Sequence, residues 1–222
     1  MRDFFRSNGL SIVLFSLFVF SVAGQFVTGL AEYNEDQQQH RQPAVTAVEY
    51  LGEGHFIEAV FENWESEFLQ MAAYILLTVR LFQKGSSESK DPNRIERVDV
   101  IPEDARGKKD APYPVRRGGW LLTLYQNSLS IAFLLLFAVS FILHAYGGAL
   151  EYNKEMFEHR GGEAVSTFGY MATTRFWFES FQNWQSEFLS IGLMVVLSIF
   201  LRQKGSPESK PVDAPHGDTG TA

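Results

Sequence analysis

Asn63 to Leu69 reads N-W-E-S-E-F-L, and Asn183 to Leu189 reads N-W-Q-S-E-F-L. Each copy leads into an apolar run, Phe68 to Phe82 in the first case and Phe188 to Leu201 in the second. Outward from this pair, most of the chain divides into two related halves. Asn8 to Arg41 matches Asn127 to Arg160 at an offset of 119, sharing Leu17-Phe18, Ser21, Gly29, Glu32-Tyr33-Asn34 and His40-Arg41. One residue added near Gly161 to Glu163 shifts the offset to 120, which carries Val45, Tyr50, Phe56 and Phe61 onto Val165, Tyr170, Phe176 and Phe181. A last block follows, Gln83 to Lys90 (Q-K-G-S-S-E-S-K) against Gln203 to Lys210 (Q-K-G-S-P-E-S-K). The pattern reads as a tandem duplication with diverged middles and retained ends.

The 222 residues have a mean hydropathy of -0.08, an average that conceals strongly apolar segments. Residues 10–31 and 118–150 contain no Asp, Glu, Lys or Arg. Runs of that length match the roughly 20 helical residues needed to cross a bilayer. The two shorter runs qualify when extended backwards. Phe56, Val60, Trp64 and Phe68, and nearly likewise Trp177, Phe181, Trp184 and Phe188, recur at helical spacing and predict an amphipathic lead-in at headgroup level. Arg80 lies near the end of the first of these runs, where it can snorkel to the interface. The apolar stretch ending at Ala23 resembles a signal peptide in outline, but its internal counterpart from Asn127 onward marks it as a retained span.

The expected fold is an all-α integral membrane protein with four transmembrane helices, at about 8–31, 60–84, 120–150 and 180–204. They form two two-helix repeats, 1–90 and 118–210. An even number of spans per repeat makes the repeats parallel in the membrane. Residues 91–117, with Pro92, Pro102, Pro112 and Pro114, read as a linker, and 211–222 as a disordered tail. Nine Lys or Arg lie between Gln83 and Gly119, whereas Ala31 to Ser66 has only Arg41. The positive-inside rule then places both termini and the linker in the cytoplasm and two acidic loops outside.

Four carboxylates fall at the outer ends of the expected spans: Glu32 and Glu151 in the E-Y-N motifs, Glu67 and Glu187 in the N-W-x-S-E-F-L motifs. With Asn63, Asn183, Tyr33 and Tyr152 as hydrogen-bond partners, they would ring the mouth of a four-helix bundle. Facing inward, such acids bind a cation or relay a proton. Facing outward, they complement helix N-termini, with Asn as cap and Trp64 and Trp184 as interface anchors. His40 and His159 recur between the halves, whereas His55 and His144 have no His counterpart, and no pair has metal-ligand spacing. The absence of cysteine excludes disulfides, thiol nucleophiles and cysteine-ligated metal. No phosphate-binding glycine loop, nucleophile elbow or zinc-protease motif occurs, no cofactor is implied, and basic residues interspersed with acids give no nucleic-acid footprint.

The paired E-Y-N ends, N-W-x-S-E-F-L lead-ins and Q-K-G-S exits resemble a bacterial family of duplicated membrane proteins known only as a domain of unknown function. The resemblance covers roughly residues 5–210 and implies a bacterial cytoplasmic membrane setting, without an activity or substrate. The functional expectation is a non-catalytic packing module whose partners are the bilayer and a second copy or another membrane protein. The alternative is an ion or proton conductor using Glu67 and Glu187, and a membrane-embedded enzyme is the third.

Overall fold

The uncharged run 10–31 lies within a single helix, α1 (Arg2–Gln39). In the computed structural model, which describes residues 2–159 and 164–220, α2 (Ala47–Tyr50), α3 (Gly54–Thr78), α4 (Tyr113–Arg117), α5 (Gly119–Gln126), α6 (Ser128–His159), α7 (Thr167–Met171) and α8 (Thr174–Phe200) follow. Two short 3-10 turns, Arg97–Asp99 and Pro102–Ala105, lie in the linker, and no strand occurs among the described residues. The expected inserted residue near Gly161 to Glu163 and the repeated Arg160 lie outside the described residues.

Three helices are long and apolar enough to cross a membrane: α1, α6 and α8. In α1, Ser16 and Thr28 return their hydroxyls to the carbonyls of Ile12 (2.7 Å) and Gly24 (2.8 Å), so these polar groups are satisfied within the helix. α3 has the length, but Glu58, Glu62, Glu65 and Glu67 crowd charge into its N-terminal and middle turns, and it is not among these three. The expected third span is interrupted: α5 stops at Asn127, whose backbone leaves the helical region, and α6 begins beyond it and runs on to His159.

Packing divides the chain into two compact units. The first comprises Met1–Val60 and Leu143–Thr173, the second Phe61–Ile142 and Thr174–Ala222.

In the first unit α1 ends in a Schellman turn. Arg41 adopts φ 58°, with its N–H bonded to Gln38 O (3.1 Å) and that of Gln42 to Gln37 O (2.7 Å). The loop beyond is fixed by Asn34, which accepts from the Val45 N–H (2.7 Å) and donates to the Val45 carbonyl (3.0 Å). Asn153 holds Val165 in the same two bonds, at 2.7 and 2.8 Å. A side-chain cap then starts each short helix, Thr46 in a capping box with Glu49 and Ser166 accepting from Gly169 N. The phenols at their ends, Tyr50 and Tyr170, are fully buried. A Cβ on Gly29 would collide with the Tyr50 hydroxyl, and one on Gly148 with the Tyr170 ring. α3 and α6 meet at main-chain distance: a Cβ on Gly54 would lie 2.6 Å from Glu151 N, and one on Gly147 would overlap the Glu58 nitrogen.

In the second unit the Q-K-G-S-x-E-S-K blocks form closed turns. Ser89 Oγ accepts from Gln83 N (2.8 Å) and Ser209 Oγ from Gln203 N (2.9 Å), while Gly85 and Gly205 supply positive φ. The serines beyond the glycine are thus required by the turn and not by helix capping alone. Residues 211–220, expected to lack structure, instead lie against the first block. Lys210, almost fully buried, donates to the carbonyls of Gly85 (2.6 Å), Asp218 (2.9 Å), His216 (3.0 Å) and Pro215 (3.3 Å). Thr219 Oγ1 accepts from Gly85 N and Gly220 N donates to Ser86 O. Composition missed this because the lock is made by main-chain carbonyls, which no residue type advertises.

Gly147→Val should destabilise the fold by about 1–3 kcal/mol or more, since backbone must move to admit the side chain. Gly192→Ala, in α8 with open space around its Cα, should be close to neutral. Thermal unfolding in detergent of the two variants compares them directly.

Candidate functional site

In the second unit the N-W-x-S-E-F-L copies face each other across α3 and α8. Gln70 Nε2 donates to the Glu187 carbonyl (2.9 Å) and to Ser190 Oγ (3.0 Å). Trp184 Nε1 donates to Glu65 Oε1 (3.2 Å), and the Asn183 amide donates to Glu62. Spacings of three, four and five residues put Glu62, Glu65, Ser66 and Gln70 along one side of α3. Glu65 is fully buried, so the indole N–H donated to its carboxyl group offsets part of the cost of taking that polar group out of water.

The first unit holds a second polar group built around phenols. The Tyr33 hydroxyl donates to Glu53 Oε2 (2.8 Å) and accepts from Lys154 Nζ (2.9 Å), whose ammonium also lies 4.0 Å from the Tyr33 ring centroid. The Tyr50 hydroxyl is 2.8 Å from His55 Nδ1. Burial, and then the charges of Glu32 and Glu151, push the Tyr50 phenol up to about 12. A phenol held so firmly in its protonated form keeps a proton to donate. Tyr170 donates to Glu58 Oε1 (3.1 Å), and the fully buried His144 brings a ring nitrogen within 4.8 Å of that carboxylate.

Of the residues expected from sequence, Glu32 is exposed, Glu151 and Tyr152 are half-buried and Tyr33 is buried; all four lie in the first unit. Asn63 and Glu67 are exposed, and Asn183 and Glu187 half-buried, in the second. Glu67 lies within electrostatic reach of Glu187. Trp64 stacks edge-on with Phe61 and Phe68 at 5.2 and 6.4 Å, whereas Trp184 uses its N–H on Glu65 in addition to its aromatic contacts. Sequence reasoning passes over Glu58, Glu62 and Glu65, and sets His144 aside for want of a His counterpart and metal-ligand spacing. One signal was present: at the repeat offsets these positions meet Phe178, Gln182, Gln185 and Gln25, so the two halves differ where a charge is buried or bonded.

Such an arrangement holds helices in register through carboxylates and offers proton-accepting groups out of water. With three helices long and apolar enough to cross a membrane, the class is an all-helical protein with candidate membrane spans. The chain belongs to the family described as a domain of unknown function, DUF6766, whose family model matches residues 1–221. Comparison with curated proteins and with solved structures finds no match.

Trp184→Phe keeps the aromatic bulk but removes the donor to Glu65. Stability should fall by about 1–3 kcal/mol, read from the shift of the denaturation midpoint. Tyr50 gives a pH signature. The unfolded phenol ionises near 10 and the folded one near 12, so the folded state binds more protons in that window and loses stability as pH rises from about 10 to 12. Tyr50→Phe should flatten this part of the stability profile relative to the parent chain.

Proposed function

We propose that the chain is a duplicated, four-span protein of the bacterial cytoplasmic membrane, with α3 as a fourth span, parallel repeats and cytoplasmic termini, serving as a non-catalytic packing module. One observation carries this reading: Tyr33, Asn34, Asn153 and Asn183 of the retained motifs bond within the chain, while none of the most apolar stretch of α1 is buried. Phe15, Val19, Phe20 and Val27 are all more than 60% exposed on that helix, a surface suited to lipid or to another membrane protein. The recurrence of the Asn34–Val45 and Asn153–Val165 clamps at the repeat offsets supports the duplication.

A proton or cation conductor is the second reading. It is favoured by the proximity of Glu67 to Glu187 and by the buried Glu58 and His144.

The absence of cysteine makes single-cysteine mapping clean. On intact cells an impermeant thiol reagent should label Glu49→Cys and leave Glu103→Cys unlabelled until lysis; the reverse pattern overturns the orientation. Crosslinking in native membranes should capture a species larger than the monomer, and a monomer under all conditions overturns the packing role. Flux in proteoliposomes that vanishes in Glu67→Gln/Glu187→Gln would replace it with the conductor.

A further inference from the structure

At the foot of α3 two cavities lie side by side in the second unit. The larger, about 500 Å³, has Glu88, Glu96 and Asp99 in its wall, with Lys90 as its cation. The smaller, about 300 Å³, is lined by Arg80, Arg94 and Lys90, with Asp99 as its acid. Thr78, Val79, Lys90 and Asp99 belong to both linings. Lys90 and Asp99 are paired with each other across this shared wall. The remaining charges are therefore two carboxylates on one side and two guanidinium groups on the other.

The polarity also changes along the helix axis. Ile75 in the last turn of α3 and Val79 just beyond its end line the larger cavity, and the surface around them is apolar, with Leu76, Val79 and Leu81 exposed. Residues 71–78 contain no charge. A ligand filling both cavities thus needs a cation and an anion joined by a short link, and an apolar portion that continues along α3.

We propose that this double cavity binds the headgroup of an aminophospholipid, of which phosphatidylethanolamine is the simplest. Its ammonium lies in the larger cavity near Glu88 and Glu96, its phosphate in the smaller one near Arg80 and Arg94, and its acyl chains run along Ile75 and Val79. A primary ammonium is selected over a quaternary one because carboxylates accept N–H hydrogen bonds. Glu88 already accepts from the Tyr74 hydroxyl at 2.5 Å and from Ser87 at 3.3 Å, and a carboxylate has acceptor sites to spare. Guanidinium forks match phosphate oxygens. The inference rests on the four-span reading, which puts the end of α3 at the headgroup layer.

The test is native mass spectrometry of the full chain in detergent, with phosphatidylethanolamine, phosphatidylcholine or phosphatidylglycerol added at equal concentration. The expected result is at least a fivefold preference for phosphatidylethanolamine. Glu88→Gln/Glu96→Gln should bring it down to the phosphatidylcholine level, and Arg80→Gln/Arg94→Gln should weaken both. Glu96→Gln alone, half-exposed and remote from the Tyr74 bond, should lower the preference without unfolding, as checked by helicity. Equal binding of all three lipids, or a preference unchanged by the Glu variants, overturns the proposal. Soluble phosphoethanolamine competing as well as the lipid shows a site for the free headgroup compound and overturns the lipid source. Failure of the four-span reading would appear separately, in the cysteine-labelling pattern.

Discussion

Everything in the first unit depends on two helices meeting without side chains between them. Gly54 of α3 and Gly147 of α6 bring main chain against main chain, and the buried Ala145 and Ala149 extend the narrow strip on α6. Glycines at such a contact let the two main chains approach closely, so dispersion at short range and satisfied polar groups hold the helices together. The tyrosines of the short helices complete the arrangement. Each needs a glycine beneath it, and each is delivered there by an asparagine clamp on the preceding loop, so the E-Y-N motif and the distant Tyr50 or Tyr170 are parts of one device.

That device shows where sequence reading succeeds. Helical class, the long apolar runs and the paired motifs follow from charge-free length and repetition, which are one-dimensional properties. Asn34 and Asn153 were visible as retained letters, but their partner is a backbone at Val45 or Val165, and a backbone acceptor leaves no trace in composition. The same holds for Lys210, whose four acceptors are carbonyls. The break at Asn127 was hidden for a different reason: its flanks are equally apolar, and hydropathy does not register a local change of ψ.

The carboxylates to which repetition points are Glu32, Glu67, Glu151 and Glu187. Glu32 and Glu67 prove exposed, while the deeply placed Glu58 and Glu65 meet Phe178 and Gln185 at the repeat offsets. A physical reason is at hand. Two symmetric buried acids facing one another would repel, whereas one acid opposite an amide or indole N–H is satisfied; retention and burial therefore select different positions. Trp184 illustrates the outcome, since its indole answers Glu65 in a position where an anchor to headgroups was expected.

Lys210 has a consequence beyond holding the tail in place. Its ammonium is coordinated as a dehydrated monovalent cation would be, by a cage of peptide oxygens from residues 85, 215, 216 and 218. Peptide oxygens are present whatever side chains accompany them. The lock therefore reads the length and path of the segment after Lys210 and is indifferent to most of its letters, which leaves that segment free to drift in composition while its course stays fixed.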